Sequence, residues 1–234
     1  MKTIILAAGI GKRLRRFTKL PKCLVKIKNE PLIKRYISLL QGVKNNDIVL
    51  VVGYRASEVI KTLKKYRLRV NVIKNDNFRE GSILSLWTAR DKLRGNVLLM
   101  DGDMYFENGL INTVVKSKKS NFFLIDRKVK YDNEAVMVGF RNNRAVALAR
   151  GLKGNYAAIG EWAGILRLSP PASKRLRKLL EKKISSGERK VGYEFIIPGL
   201  FKNIPISYEL IDGLKWTEID TPQDVNKARC LRVD

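Results

Sequence analysis

A short apolar run that empties into a glycine loop followed by cations limits this chain to few folds. Thr3 to Leu6 reads as a buried strand, and the stretch Leu6-Ala7-Ala8-Gly9-Ile10-Gly11-Lys12-Arg13-Leu14 carries on from it. Small residues from Ala7 to Gly11 let backbone amides approach an anion, while Lys12, Arg13 and, after Pro21, Lys22 supply positive charge. Such a loop grips phosphates, and three cations beside it suit a nucleoside triphosphate. Two commoner glycine loops are excluded by spacing. A dinucleotide fingerprint needs a glycine three positions after Gly11, where Leu14 stands, and no Gly-Lys-Ser/Thr triplet of a Walker loop occurs.

Alternating strand and helix signals through the first half argue for a mainly parallel sheet with helices on both faces. Strands are expected at Lys2 to Leu6, Asp47 to Val52, Arg69 to Ile73 and Asn96 to Met100, with a short extended piece at Leu24 to Ile27. Helices are expected at Pro31 to Leu40, Ser57 to Tyr66 and Ser82 to Leu93. The second half is more hairpin-like: short strands at Asn121 to Asp126, Ala135 to Phe140 and Ala145 to Leu148, with a tight turn at Asn142-Asn143, then a strand from Gly160 to Leu168. A cationic helix from Pro170 to Lys183, a helix near Tyr193 to Leu200 and strands at Pro205 to Leu210 and Lys215 to Ile219 follow. Thr221-Pro222-Gln223-Asp224 then opens a last helix. Ligands of open α/β sheets gather beyond the carboxyl ends of the strands, so Gly9, Gly53 and Asp103 should converge on one site. With 234 residues and no linker or repeat, one domain over residues 1–234 is expected, its nucleotide half at 1–107 and its acceptor half at 108–234.

The chain has no histidine, which removes histidine bases, histidine metal ligands and Ser-His-Asp triads, so chemistry must run on carboxylates, cations and metal ions. Cys23 and Cys230 have no metal-ligand or disulfide spacing, and a reducing cytoplasm is the simplest location; Cys23 reads as a small buried filler. No apolar run reaches the length of a membrane span, and the start reads as neither signal peptide nor anchor. The net charge of +25 is spread along the chain rather than gathered in a binding module. A basic surface, with loose association with anionic membranes left open, is therefore preferred to a specific nucleic-acid partner.

The glycine stretch and Pro21-Lys22 carry a resemblance: residue for residue they match the L-A-A-G-x-G-x-R-L and P-K signature of the sugar nucleotidyltransferase superfamily. Within it, the length and the segment Gly81-Ser82-Ile83-Leu84-Ser85-Leu86 look most like the cytidylyltransferases of small phosphorylated alcohols, of the choline-phosphate and inositol-1-phosphate type. The resemblance implies an α/β, Rossmann-like fold, a mixed and mainly parallel central sheet flanked by helices, with a smaller β-rich acceptor-binding part in the second half. It implies transfer of CMP from CTP to a small phosphorylated alcohol, with Mg2+ as cofactor; a sugar-1-phosphate enzyme using UTP, GTP or dTTP is the alternative, and a non-catalytic nucleotide- or nucleic-acid-binding protein is the rival of another class. Homo-oligomer formation stays open.

Residue by residue, the resemblance gives Lys22 the α-phosphate and puts metal ligands at Asp103 and Asp220. Asp101 competes with Asp103 or supports it, Glu218 supports Asp220, and Asp220 alternatively serves only the helix terminus that follows it. The fork of Arg13 suits the β- and γ-phosphates that leave as pyrophosphate, with Lys12 a weaker partner. Base recognition is expected from the backbone of Leu6, Ala7 and Ala8 and from Gly81-Ser82, where a helix start presents free amides, with Gly9, Gly11 and Gly53 completing the nucleotide site. The acceptor pocket is expected from Glu161, Trp162, Tyr193, Glu194 and Trp216: an aromatic cage with a carboxylate would suit a quaternary ammonium, and several polar groups an inositol ring.

Overall fold

The computed structural model of the protein describes residues 1–128 and 135–233. In chain order the elements are β1 (Lys2–Ala7), β2 (Lys26–Ile27), β3 (Glu30–Pro31), α1 (Leu32–Gln41), β4 (Asp47–Val52), α2 (Ala56–Lys65), β5 (Asn71–Lys74) and α3 (Ser82–Thr88). Then come β6 (Val97–Asp101), β7 (Met104–Phe106), α4 (Gly109–Lys116), β8 (Phe122–Asp126), β9 (Val136–Arg141), β10 (Arg144–Arg150) and β11 (Ala158–Leu168). The chain closes with α5 (Pro170–Ser185), α6 (Pro198–Phe201), β12 (Ser207–Leu210), β13 (Trp216–Glu218) and α7 (Pro222–Cys230).

Among the described residues the main sheet has nine strands, in the order β10-β9-β11-β6-β1-β4-β5, with β8 on the other side of β11 and β12 beyond β8. β1 lies parallel to β4 and β6, and β4 parallel to β5. β11 runs antiparallel to β6, β8 and β9, so the sheet is mixed and Rossmann-like at its centre. Strand alternation sorts the core into two layers. Ile5, Leu50, Leu98 and Met100 pack with Leu32, Tyr36, Val59 and Val225 on one face. Ile4, Val49, Val51 and Leu99 pack with Ile83, Leu86, Leu176 and Leu180 on the other. Central strands apolar on both faces are what a helix-covered parallel sheet requires, and each fully buried aliphatic side chain contributes roughly 1.5–3 kcal/mol.

Three expectations change. The helix expected to reach Leu93 ends at Thr88: Ala89 leaves helical geometry and the turn Arg90–Lys92 tightens to a 3-10 helix that still delivers Leu93 to the core. The helix expected over Tyr193 to Leu200 splits into a 3-10 turn, Tyr193–Ile196, and the four-residue α6, because Pro198 has no N–H with which to continue the ladder. The second half is not a run of hairpins either: β9 and β10 form one across Asn142 and Asn143, both with positive φ, but β12 joins β8 in parallel. The strand β7 and the helix α4, which the sequence reading did not anticipate, complete the order. β7 pairs antiparallel with β13, setting Glu218 opposite Met104, and the Ile219 amide donates to the Asp103 carbonyl at 2.9 Å.

Candidate active site

A cleft of about 940 Å³ opens at the carboxyl ends of β1 and β6. Its floor begins where β1 runs out. A Cβ built at Gly9 would meet nothing within 4 Å, so the chain there borders open space. Gly11 is the opposite case. Its φ is +64°, and a Cβ would lie 2.8 Å from Cγ of Lys22, so the glycine lets the loop cross the lysine stem. Pro21 leads into the 3-10 turn Lys22–Leu24, which aims Lys22 back beneath that loop.

The Lys22 ammonium donates to Asp103 Oδ2 at 2.9 Å and to Asp220 Oδ1. Asp220 Oδ2 in turn accepts from the Arg13 guanidinium. Burial acts to lower the Lys22 ammonium, but the charges of Asp103 and Asp220 outweigh it and hold the group above its ordinary value. Asp103 stands in the turn between β6 and β7, and Asp220 follows β13, so the β7–β13 pairing is what makes them face each other. Asp220 does not serve as the cap of α7: Thr221 accepts the Asp224 amide, and the Asp224 carboxylate accepts the amides of Thr221 at 2.7 Å and Asp220 at 3.0 Å. The Asp220 side chain therefore stays with Lys22 and Arg13.

Two more carboxyls lie close by. Loss of hydration pushes half-buried Asp101 well above the usual carboxylate range, and the charge of Asp103 adds to this; Tyr193 donates its hydroxyl to Asp101 Oδ1 at 2.9 Å. Glu218 is raised in the same way, by burial first and then by Asp103. Cys23, beside Lys22 in sequence, is buried and its thiol pushed up to about 12, which makes it a packing residue. Among the described residues no group of three or more His, Cys, Asp or Glu is arranged to hold a metal ion. Asp103 and Asp220 do converge on one cation, Lys22 Nζ, and two carboxylate oxygens at one point are a donor set that magnesium takes together with phosphate oxygens and water.

The cleft is lined by Leu6, Ala7, Ala8, Gly9, Gly11, Lys12, Arg13 and Lys22 on one side, with Gly81, Ser82, Asp103 and Asp220. Glu161, Trp162, Tyr193, Glu194 and Trp216 line it too. Gly53 does not. A Cβ there would meet Phe78 Cβ at 2.6 Å and the Ala8 carbonyl at 2.8 Å, so Gly53 is a close-packing position supporting the loop. The start of α3 also differs from the expectation of free amides. The Ile83 amide donates to the Val191 carbonyl at 3.2 Å, and Ser82 Oγ accepts the Tyr193 amide at 3.0 Å, so this helix start clamps the 191–193 segment.

The aromatic residues of the wall have their polar edges turned to protein. Trp162 donates to the Ile165 carbonyl at 2.9 Å, Trp216 donates to Asp126 Oδ2 at 2.9 Å, and Trp162 and Tyr193 stack edge to face at 5.9 Å. Arg150 lies 3.3 Å from Glu194. Asp126, Lys128 and Arg150 also line the cleft and were not singled out from sequence. Asp126 had a signal: it ends the apolar run Phe122–Asp126 much as Asp101 ends Val97–Asp101. Arg150 had none, since the β10 edge reaches the cleft only through the tertiary fold.

With this geometry in view, comparison with known proteins identifies the family. The model of the MobA-like NTP transferase domain matches residues 3–183. The choline-phosphate cytidylyltransferase of Streptococcus pneumoniae is 28% identical over 231 residues, covering 97% of this chain and 96% of the relative. A bifunctional IPC transferase and DIPP synthase of Aquifex aeolicus is 28% identical over 232 residues, 97% of this chain but 50% of the relative, so the chain spans about half the length of that protein. Among solved structures, the CTP:phosphocholine cytidylyltransferase from Streptococcus pneumoniae superposes with a TM-score of 0.81 at 25% identity, covering 97% of both chains. The inositol-1-phosphate CTP transferase from T. maritima shares the fold, with a TM-score of 0.75 at 22% identity over 98% of this chain and 96% of that one. The chain belongs to the MobA-like NTP transferase domain family and is a nucleotidyltransferase.

Proposed function

We propose that this nucleotidyltransferase transfers CMP from CTP to a small phosphorylated alcohol with a cationic head, of the phosphocholine kind, releasing a CDP-alcohol and pyrophosphate. A phosphate oxygen of the acceptor attacks the α-phosphorus, and the bond from that phosphorus to the pyrophosphate oxygen breaks. The protein's part is alignment and charge neutralisation rather than covalent chemistry. Lys22 meets the α-phosphate, Arg13 and Lys12 the leaving phosphates, and the backbone of Leu6 to Ala8 with Gly9, Gly11, Gly81 and Ser82 frames the nucleotide. Asp103 and Asp220 would hold Mg2+, which when bound offsets the negative charge of the triphosphate. Cys23 and Cys230 are free thiols, which suits a reducing cytoplasm.

The observation that carries the acceptor is the state of the aromatic wall. Trp162, Tyr193 and Trp216 give their N–H or O–H donors to Ile165, Asp101 and Asp126; Trp162 and Tyr193 are buried, and half-buried Trp216 is the ring of this wall most open to a ligand, beside Glu161 and Glu194. A ring face beside carboxylates attracts a quaternary ammonium. A second reading, inositol-1-phosphate as acceptor, draws on the likeness to the bifunctional IPC transferases. Pyrophosphate release from CTP with phosphocholine, inositol-1-phosphate, 2-aminoethylphosphonate and glycerol phosphates, and then from UTP, GTP, dTTP and ATP with the best acceptor, tests both. Release with phosphocholine above the others supports the proposal, a preference for inositol-1-phosphate favours the second reading, and a preference for another nucleotide removes the cytidine assignment.

A further inference from the structure

The turn between Arg13 and Lys22 has a feature that phosphate chemistry does not use. Leu14 is 2% exposed and fixes the turn to the core, and its carbonyl accepts the amides of Phe17 at 2.8 Å and Thr18 at 2.9 Å. The Leu20 amide donates to Thr18 Oγ1 at 3.1 Å. The Lys19 carbonyl accepts the Tyr54 hydroxyl at 3.2 Å and the Arg55 guanidinium at 2.9 Å. These bonds hold the turn in shape, yet they leave Phe17 51% and Leu20 39% exposed.

A single exposed apolar residue is ordinary. Here two of them, three residues apart, are interleaved with exposed Arg15, Arg16 and Lys19, and from Gly9 to Asn29 the chain carries no carboxylate. A held turn whose exposed apolar residues alternate with exposed cations matches the interface of an anionic bilayer. Ring and aliphatic groups enter the acyl boundary while the guanidinium and ammonium groups meet lipid head groups. A nucleic acid would use the cations and the Phe17 ring, but Leu20 has no ring on which a base could stack. From this we infer that the Arg15–Leu20 turn is a membrane-surface anchor that seats on bilayers containing anionic lipid, with Phe17 and Leu20 entering the interface. Because the same turn links Arg13 to Lys22, docking holds the mouth of the cleft close to the membrane surface. The inference rests on the turn alone and is independent of which nucleotide or acceptor is used.

The test is sedimentation of the full chain with vesicles of phosphatidylcholine alone and of phosphatidylcholine mixed with phosphatidylglycerol, at physiological ionic strength, beside a gel-shift titration with duplex RNA. Binding to the mixed vesicles alone is expected. The double variant Phe17→Ser, Leu20→Ser should partition about tenfold less, since each apolar group buried at the interface adds to binding, while keeping its melting temperature and its nucleotidyl transfer in solution. Phe17→Trp gives a readout that does not depend on the double variant folding: its emission should move to shorter wavelength on mixed vesicles, beyond any change in the parent chain. Failure to bind mixed vesicles, binding that the double variant leaves unchanged, or an unshifted Phe17→Trp emission overturns the inference. So does RNA binding that the double variant weakens equally, which would make the turn a general polyanion site.

Discussion

At Lys22 one ammonium faces Asp103 at 2.9 Å and also Asp220, and Asp101 and Glu218 stand near enough to feel the same charges. Replacing it removes the cation that balances these carboxylates and the group proposed to meet the α-phosphate. Lys22→Ala and Asp103→Ala are each expected to lower turnover by about a hundredfold, the loss typical of one preorganised electrostatic group. Circular dichroism should report an intact fold, and near-normal turnover of either variant would remove that residue from the site. Both residues were legible in sequence, Lys22 from the Pro21-Lys22 pair and Asp103 from its place after an apolar strand. What the sequence did not show is that Gly11 is required by the Lys22 stem, because the contact joins two turns whose relative placement is tertiary.

Two short locks hold the elements that carry the site. The first is the capping box of α7, which anchors the Asp220 amide through Asp224 while leaving the Asp220 side chain to Lys22. Thr221→Ala is expected to cost about 1 kcal/mol of stability, as loss of an N-cap does, measured by urea unfolding. Turnover should change little, because the Asp224 carboxylate still accepts the Asp220 amide. The second lock is at the end of β8, where Asp212 accepts the Arg127 amide at 3.0 Å and its guanidinium at 2.9 and 2.7 Å. Burial acts to raise the Asp212 carboxyl, but the hydrogen bonds from Arg127 outweigh it and leave the group below its ordinary value of 3.8. A lowered folded value means stability that is present above the unfolded value and lost as pH falls through the folded one. The melting temperature of the parent should therefore exceed that of Asp212→Asn near neutrality, with the gap closing below pH ~4; a gap that persists in strong acid would show that the contribution is not ionic. The cap was legible from Thr221-Pro222-Gln223-Asp224, whereas the Arg127–Asp212 lock joins residues 85 positions apart and was not.

For the molecule as a whole the charge of +25 is the feature most apt to mislead. A diffuse cationic surface attracts any polyanion through counterion release, so RNA and duplex DNA should bind weakly, without sequence preference, and come off near physiological ionic strength. Nucleotidyl transfer should survive that salt. Titrations at low and physiological salt beside a turnover assay check this, and tight sequence-selective binding that persists in salt would contradict it. CTP with magnesium should also raise the melting temperature more than UTP, GTP or ATP does, since binding to the native state stabilises it by mass action; equal shifts with all four nucleotides would remove the cytidine preference and leave the family assignment untouched.

The sequence by itself determined most of the strands and helices, though not β7 or α4, since a period of two or of 3.6 residues, a glycine or a proline acts over a few neighbouring positions. It also singled out the glycine loop and Lys22, Asp103 and Asp220, which line one cleft. Only the tertiary structure decided which of these side chains meet. Lys22 and Asp220 are 198 residues apart and are joined because β13 pairs with β7 in one register. The same long-range pairing and packing tuck Gly53 under the loop, use up the Ile83 amide and put Asp126 behind Trp216. None of this is encoded locally. The energy that fixes such pairings is summed over a whole sheet and its two cores, and no single window of sequence contains it.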